Sequence, residues 1–458
     1  RNASELRKAA GGYWLQCCYY DGEKIETSLP NLFHLPFSSL VRNLAESIHR
    51  FPTLVSFEGL SIPLSETKKI TEEFNISLEQ ARVFRNKLNI FYHKSLLNSR
   101  LDFSEPWRFF LHGHSNTTVM RHVSENLSRA LENLGYDVFF QLNQGTEDDH
   151  CFRQEYEFDP HVTVNINHLN HWISEDVFNF VWIQDPQHWF VDEGKSVSLR
   201  ERDKIFHLTE YMDHLLQKKG IKSEYQPFCV NRELFKRRDH IEREKKIIMI
   251  GSSYKSKWDR IQKKEKYRIC EQVLNHYINE GHISREERIK IQHDNSELSE
   301  FEIESIIIYV ERDLILKHIL RMDLGVEFEI YGYGWDSDID FQPYYKGTLE
   351  YGEDVSKKYN SAKYALVIGA YVLQQRTLEA AASGAIPLVY EVNEVEEIRE
   401  KDTFSRSLLF FKKPEDLRKL IRDDCTLDLE FIVRSNDYQK FASRILESVE
   451  RDLQSNRI

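Results

Sequence analysis

The stretch that decides the fold is QQRTLEAAASGAIPLVY, residues 374–390, which follows the apolar run YALVIGA at residues 364–370. The run is typical of a strand, the small residues after it favour a helix, and a glycine then separates that helix from a second strand. Arg376 and Glu379 share one face of this helix because they are three residues apart. A helix N-terminus after a strand binds anions, and a carboxylate one turn further accepts hydrogen bonds from sugar hydroxyls. The unit therefore predicts a site for phosphate and ribose together.

Length and composition bound the class of protein. A chain of 458 residues is too long for one core and predicts two or three domains. The formal net charge of −12 argues against general nucleic-acid binding. No apolar run approaches the ~18 residues of a membrane span, and no signal peptide is recognisable, so we expect a cytoplasmic protein without an integral membrane segment.

The cysteines point to a reducing compartment. All six are scattered along the chain and none forms a CxxC pair, which argues against a disulfide framework and against a structural zinc site.

The chain divides into four predicted regions. Residues 1–104 form a mainly helical region, with helical spacing of apolar residues at 40–51 and 78–97 and prolines between the pieces. This region either packs on the next domain or recognises an acceptor. Strands that alternate with helices then predict two Rossmann-like α/β domains, at 105–235 and 236–430, and residues 431–458 form a C-terminal helix.

Two α/β domains in tandem predict a cleft between them, with ligands beyond the carboxyl ends of the strands. In the second domain the loops after the first two strands are GSSYKSKWDR (251–260) and YGYGW (331–335). Glycines there let the backbone approach a ligand, and lysines can meet a diphosphate. The alternatives are a solvated basic turn, an ordinary GxG turn and an intrahelical Arg376–Glu379 salt bridge. The candidate donor-binding residues are Gly251, Ser252, Lys255, Lys257, Tyr331, Gly332, Tyr333, Arg376 and Glu379.

The second α/β half resembles the nucleotide-sugar domain of GT-B glycosyltransferases. Within that fold it is most similar to the spore-maturation CgeB-like group and its relatives in glycosyl transferases group 1. The matching stretches are KIIMIGSSY, FEIYGYGW, YYKGTLEYGEDVSKKYNSAKYALVI and QQRTLEAAASGAIPLVY. The first α/β half resembles the same fold more diffusely, and the terminal helix resembles the one that crosses back onto the first domain.

The resemblance implies specific roles. Glu379 takes the place of the glutamate that binds the nucleotide ribose, Arg376 is the best match for a diphosphate-binding residue, and the Lys255/Lys257 loop is the second. Many relatives carry a further glutamate eight positions before the ribose one, and here Tyr371 stands there. We therefore expect a nucleotide-diphosphate sugar as donor substrate, no cofactor, and sugar contacts that differ from those relatives.

Two residues are candidates for the catalytic base. His114 lies in the loop after the first strand of the first domain, and Asp185 follows a later strand in a context similar to the family's W-x-x-D segment. The alternatives are a polar loop histidine and a carboxylate that caps the turn before Pro186. The acidic run DSDID (336–340) resembles a metal-binding DxD, but its charged loop favours a solvated turn, so we predict no metal.

These patterns favour a metal-independent glycosyltransferase that acts on a hydroxyl of a protein or glycan acceptor. The alternatives are a catalytically inactive GT-B-like binding scaffold, and a nucleotide-sugar epimerase or hydrolase on the same fold. The donor sugar, the stereochemical outcome and the oligomeric state stay open.

Overall fold

The computed structural model describes residues 18–20, 32–34, 64–104, 106–114, 118–143, 152–192, 196–281, 283–369, 373–390, 403–422 and 426–455. In the N-terminal region two short strands, β1 (Cys18–Tyr20) and β2 (Leu32–His34), pair in parallel. Helix α1 (Leu64–Leu97) follows directly after Pro63. It contains the helix predicted at 78–97, whereas the helix predicted at 40–51 lies outside the described residues.

The first α/β domain is built on a six-stranded parallel sheet in the order β4-β3-β5-β6-β7-β8. The two central strands, VTVNI and FNFVWI, are buried along their whole length because helices cover both faces of the sheet. The elements are β3 (Arg108–His114), α2 (Thr118–Asn133), β4 (Asp137–Asn143), α3 (Phe152–Phe158), β5 (Val162–Ile166), β6 (Phe178–Ile183), α4 (His188–Val191), β7 (Asp203–His207), α5 (Glu210–Lys218) and β8 (Glu224–Tyr225).

The second domain has a five-stranded parallel sheet in the order β10-β9-β11-β12-β13. Between β9 and β10 the chain forms a helical layer that is interrupted by a π-helical segment at Val310–Leu314. The elements are β9 (Glu244–Ile250), α6 (Lys255–Arg260), α7 (Glu265–Asn279), α8 (Arg285–Asp294), α9 (Glu300–Tyr309), α10 (Ile315–Leu320), β10 (Glu327–Tyr331), α11 (Glu353–Ser361), β11 (Ala362–Val367), α12 (Gln375–Ala382), β12 (Ile386–Tyr390), β13 (Leu409–Phe411), α13 (Asp416–Arg422), α14 (Leu429–Ser435) and α15 (Tyr438–Ser455).

The two domains share part of their apolar core. One buried cluster runs from the first sheet through Phe235 to residues of the second domain such as Val355 and Leu378. A second cluster fills the other side of the second sheet and includes the helices between β9 and β10. The fold class predicted from the sequence, two Rossmann-like α/β domains, is confirmed.

The chain crosses between the domains twice, and the two crossings are joined by hydrogen bonds. The Val230 amide donates to the carbonyl of Asn436 (2.9 Å), and the Tyr438 amide donates to the carbonyl of Val230 (3.4 Å). The region predicted as one terminal helix is therefore two helices, α14 and α15, with a break at Asn436 and Asp437. Helix α15 packs on the first domain, where Phe441 contacts Trp182 at 4.9 Å between ring centroids.

Candidate functional site

In each sheet the order of the strands reverses once along the chain. In the second domain the reversal lies between β9 and β11, and it locates the candidate site there. Strands β9 and β11 are neighbours there, and the chain leaves them towards opposite faces of the sheet. Ligands of such sheets bind beyond the carboxyl ends of the two strands that flank this point. The residues that follow are Gly251 after β9, and Gly369 and helix α12 after β11.

The loop after β9 is held tightly against the loop after β10. The Gly251 amide donates to the carbonyl of Tyr331 (2.8 Å), and the Trp335 indole donates to the carbonyl of Gly251 (2.6 Å). Gly332 has a φ of +134°, and a Cβ there would lie 2.3 Å from the Gly251 oxygen. Only glycine fits at position 332, because both the backbone conformation and the available space exclude a side chain.

Arg376 projects from the first turn of α12 over the end of β9. A Cβ placed on Gly251 would lie 2.7 Å from Nη1 of Arg376 and 3.0 Å from its Cζ. The side chain is half-buried, and no carboxylate in the described part of the chain lies within 4 Å of its guanidinium. The intrahelical Arg376–Glu379 salt bridge, which was the alternative to ligand binding for this pair, is therefore not formed.

A second arginine, Arg312, reaches the same place from behind the sheet. It lies in the π-helical segment, a distortion that is common at functional sites. Its Nη1 donates to the carbonyl of Ser252 (3.2 Å) and its Nη2 to the carbonyl of Ile368 (3.3 Å), so that it spans the ends of β9 and β11. Burial and the nearby positive charge of Arg376 lower the pKa of Arg312. Two guanidinium groups thus repel each other here, and an anion between them would remove that repulsion.

Asp313, the next residue, fixes the loop that carries the site. Its carboxylate accepts from the Ser253 hydroxyl and from the Tyr254 amide (3.0 Å). Burial raises the pKa of Asp313 to about 6, against the effect of these hydrogen bonds. The Tyr254 ring in turn lies 4.3 Å from the guanidinium carbon of Arg312, a cation–π contact.

Glu379 lies one turn after Arg376 and is almost completely buried. Burial raises the pKa of Glu379 to about 8, while the charge of Arg376 and hydrogen bonds from Gln375 and Tyr351 oppose that shift. Its Oε1 has no hydrogen-bond partner among the residues that the structure describes. A buried acceptor without a donor is costly, so this oxygen is suited to a hydroxyl of a ligand.

A polar network connects Glu379 to the first domain. The Tyr351 hydroxyl accepts from Asn126 of α2 (2.8 Å) and from Gln375 of α12 (2.9 Å), and its ring stacks on His122 of α2 at 3.8 Å. The interior of the site is therefore in direct contact with the other domain.

The other residues predicted to bind the donor lie near the site but differ in their contacts. Lys255 pairs with Asp259 on its own helix (2.7 Å), and Lys257 lies over the Tyr254 ring. Tyr331 is buried, and its hydroxyl donates to Glu329 (2.8 Å). Tyr333 is 70% exposed at the mouth of the loop, where a flat ligand could stack on it. Gly251, Ser252, Gly332, Tyr333, Arg376 and Glu379 thus surround the ends of β9 and β11, and Tyr331 lies beneath them in the core.

The two candidate bases lie at the carboxyl edge of the first sheet. His114 ends β3 and Asp185 follows β6, with β5 between these strands, so their backbones are separated by about 10 Å. The Asp185 carboxylate accepts from the Asn167 side chain (3.1 Å), and Asn167 has a φ of +61°. Asp185 itself is exposed.

Acidic residues of the DSDID run are neutralised by neighbouring cations. Asp338 and Asp340 both pair with Lys317, at 2.9 Å and 2.7 Å. Within the described ranges, no group of three or more His, Cys, Asp and Glu side chains could hold a metal ion. No helix in that part of the chain is long and apolar enough to cross a membrane. Tyr371 lies outside the described residues.

Sequence reasoning missed Arg312 and Asp313. The available signal was the triplet Glu-Arg-Asp at 311–313 inside the otherwise apolar stretch IIIYVERDLILKHIL. Charged residues at core positions of a helix are expensive unless they serve a site.

Solved structures that are similar to this chain include T4 phage BGT with UDP and Mn²⁺ (12% identity, 76% of this chain and 97% of that chain, TM-score 0.35) and WaaG, a glycosyltransferase involved in lipopolysaccharide biosynthesis (10%, 73% and 95%, 0.36). Another is an O-GlcNAc transferase of Thermobaculum terrenum (11%, 83% and 80%, 0.42). No curated protein matches. Residues 312–437, which contain Arg312, Arg376 and Glu379, match the family described as glycosyl transferase-like.

Proposed function

We propose that this protein transfers a sugar from a nucleotide-diphosphate sugar to a hydroxyl of a protein or glycan acceptor. The observation that carries the proposal is the pair Arg312 and Arg376 at the ends of β9 and β11. Glu379, with its unpartnered Oε1, lies one helical turn after Arg376. The pair supplies two positive charges for a diphosphate, and Glu379 supplies an acceptor for a ribose hydroxyl. The match of residues 312–437 to the glycosyl transferase-like family supports the same function.

In this mechanism the bond between the anomeric carbon and the diphosphate oxygen breaks, and a bond from that carbon to the acceptor oxygen forms. The leaving diphosphate gains negative charge, which Arg312, Arg376 and the N-terminal amides of α12 stabilise. The acceptor hydroxyl loses a proton to His114 or Asp185, which lie at the carboxyl edge of the first sheet. Because two arginines already balance the diphosphate, we propose that transfer needs no metal ion.

Calorimetric titration with nucleosides, nucleoside monophosphates and nucleoside diphosphates tests donor binding. We expect the diphosphate to bind at least about tenfold more tightly than the monophosphate, because only the diphosphate reaches both arginines. Arg376→Gln should remove that difference, whereas the control Arg321→Gln should keep it, because Arg321 is exposed and pairs with Asp340 in the same domain. Equal affinities for monophosphate and diphosphate in the parent protein would contradict the assignment.

A ribose comparison tests Glu379 separately. The parent protein should prefer a ribonucleoside diphosphate over its 2′-deoxy or 3′-deoxy form, and Glu379→Gln should reduce that preference. An unchanged preference in the variant would show that Glu379 does not contact the ribose.

Turnover distinguishes the three candidate functions. A glycosyltransferase consumes donor faster when its acceptor is present, and does so in EDTA. A hydrolase or epimerase converts the donor with no acceptor, and an inactive scaffold binds nucleotide without converting any donor in a panel of nucleotide sugars.

A further inference from the structure

Helix α1 carries a row of exposed apolar side chains that the candidate site does not use. Ile76, Val83, Ile90 and Leu97 recur at every seventh position, and each is between 44% and 59% exposed. A seven-residue repeat drifts by about 20° per repeat around a straight α-helix, and a left-handed supercoil with a second helix removes that drift. The row therefore supplies one of the two positions per heptad at which a partner helix packs.

Charges beside the row are arranged symmetrically about Val83. Exposed Glu72 and Glu79 precede it, and exposed Lys87 and Lys94 follow it at equal distances along the chain. Ile76 and Ile90 obey the same symmetry, seven positions on either side of Val83, whereas the counterpart of Leu97 is Lys69, so the symmetric part of the row ends at Ile90. Two copies of such a face are complementary to each other when the two helices are antiparallel.

We propose that α1 is a dimerisation helix whose partner is α1 of a second copy of this chain, antiparallel, with the two-fold axis at Val83. Such an interface is isologous, so that each contact occurs twice. Val83 meets Val83 of the second copy, Ile76 meets its Ile90, and Glu72 faces its Lys94. A parallel arrangement is disfavoured because it would place Glu72 against Glu72 and Lys94 against Lys94.

Attachment of α1 to the rest of the molecule leaves this face accessible. Leu96, near the end of the helix, is buried in a cluster with Trp172, Ile173 and Val177 of the first domain. At about 100° per residue, Leu96 points away from Val83 by about 140°. The helix can therefore hold the first domain with one side and a second copy with the other.

Cysteine cross-linking tests the register. In the full chain, Val83→Cys should form a disulfide-linked dimer on mild oxidation, because the two cysteines meet on the axis. Ile76→Cys and Ile90→Cys should each cross-link poorly alone and well when mixed. The parent protein sets the background from its own six cysteines. Cross-linking of Val83→Cys no faster than this background would overturn the proposal, as would protection of that thiol from a labelling reagent in a monomeric protein.

Charge exchange tests the pairing without relying on cysteines. Sedimentation should show a dimer whose dissociation constant rises about tenfold in Lys94→Glu, because two Glu–Glu contacts replace two Glu–Lys contacts. The double variant Glu72→Lys with Lys94→Glu should restore the dimer, and the control Lys440→Glu, on an exposed part of α15, should have no effect. A monomer at every concentration tested, or a dimer indifferent to Lys94→Glu, would overturn the proposal.

Discussion

The guanidinium of Arg376 occupies the space that a side chain at Gly251 would need, since a Cβ there would lie 2.7 Å from Nη1. Gly251 does not adopt a positive φ, so its backbone would accept another residue. The lack of a side chain at Gly251 therefore leaves room for the guanidinium of Arg376, and the conformation of the loop does not require it.

We expect Gly251→Ala to weaken binding of a nucleoside diphosphate about tenfold, or about 1.4 kcal/mol, by displacing Arg376. Calorimetry should show this loss, and circular dichroism should show an intact fold. Adding Gly251→Ala to Arg376→Ala should cost nothing further, because both changes act through the same side chain. Additive losses in that double variant would show that Gly251 contributes independently.

Replacing Glu379 should change the pH dependence of stability. The pKa of Glu379 is about 8 in the folded protein, above its ordinary value of 4.5. The folded protein therefore loses stability as the pH rises from the ordinary pKa to the raised one. Glu379→Gln has no charge to bury, and we expect its melting temperature to exceed that of the parent by several degrees at pH 9 but not at pH 5. Parallel melting curves across this range would contradict the buried carboxylate.

Tyr351→Phe should loosen the contact between the domains. The change removes the hydroxyl that accepts from Asn126 and Gln375, and two buried donors are then left without that acceptor. We expect a loss of about 1–3 kcal/mol in the free energy of unfolding, measured by urea denaturation. Phe235→Leu, which alters a ring next to Tyr351 but no polar group, is the control for packing. Nucleotide affinity should fall in Tyr351→Phe and not in the control.

Lys255 and Arg376 should differ in their effects on donor binding. Lys255 is held by Asp259 on the surface of α6, whereas Arg376 has no described carboxylate partner. Lys255→Ala should change nucleoside diphosphate affinity by less than about 0.5 kcal/mol, the scale of a surface ion pair. A loss as large as that of Arg376→Ala would show that Lys255 leaves Asp259 to bind the diphosphate.

The candidate bases should act on transfer and not on donor binding. His114→Ala or Asp185→Asn should reduce the transfer rate about 100-fold or more with nucleotide affinity unchanged, since both lie on the domain opposite to Arg376. The variant with the larger effect identifies the base. Full transfer activity in both variants would exclude the two residues from this role.

The sequence predicted a site at Gly251, Arg376 and Glu379, because Gly251 follows directly after a strand and the other two lie in the helix after another strand. Local patterns report the ends of strands, and all parallel strands of one sheet end at the same edge. Arg312 could not be placed in this way, since it reaches the site across the sheet from a helix far along the chain. Its position depends on the π-helical segment. The charged triplet at 311–313 indicates buried charges in that stretch, but not where the side chain of Arg312 reaches.

Side-chain contacts were also beyond the reach of local patterns. The spacing of four residues between Lys255 and Asp259 permits an ion pair, but it does not show that Lys255 prefers Asp259 to a ligand. Nothing near Tyr331 in the chain shows that its ring is buried. The break between α14 and α15 arises at Asn436, where the chain pairs with Val230 from the other crossing. A contact between residues so far apart in sequence is a property of the folded chain alone.

That pairing of the two crossings has a mechanical consequence. Two bodies joined by one strand of chain can swing in any direction, but two bodies joined by two strands that are tied together at one point share a single pivot. The Val230–Asn436 hydrogen bond is that tie. A rotation of one sheet relative to the other that preserved this bond would turn about Val230, and the distance from Val230 to the strand ends would set how far those ends separate.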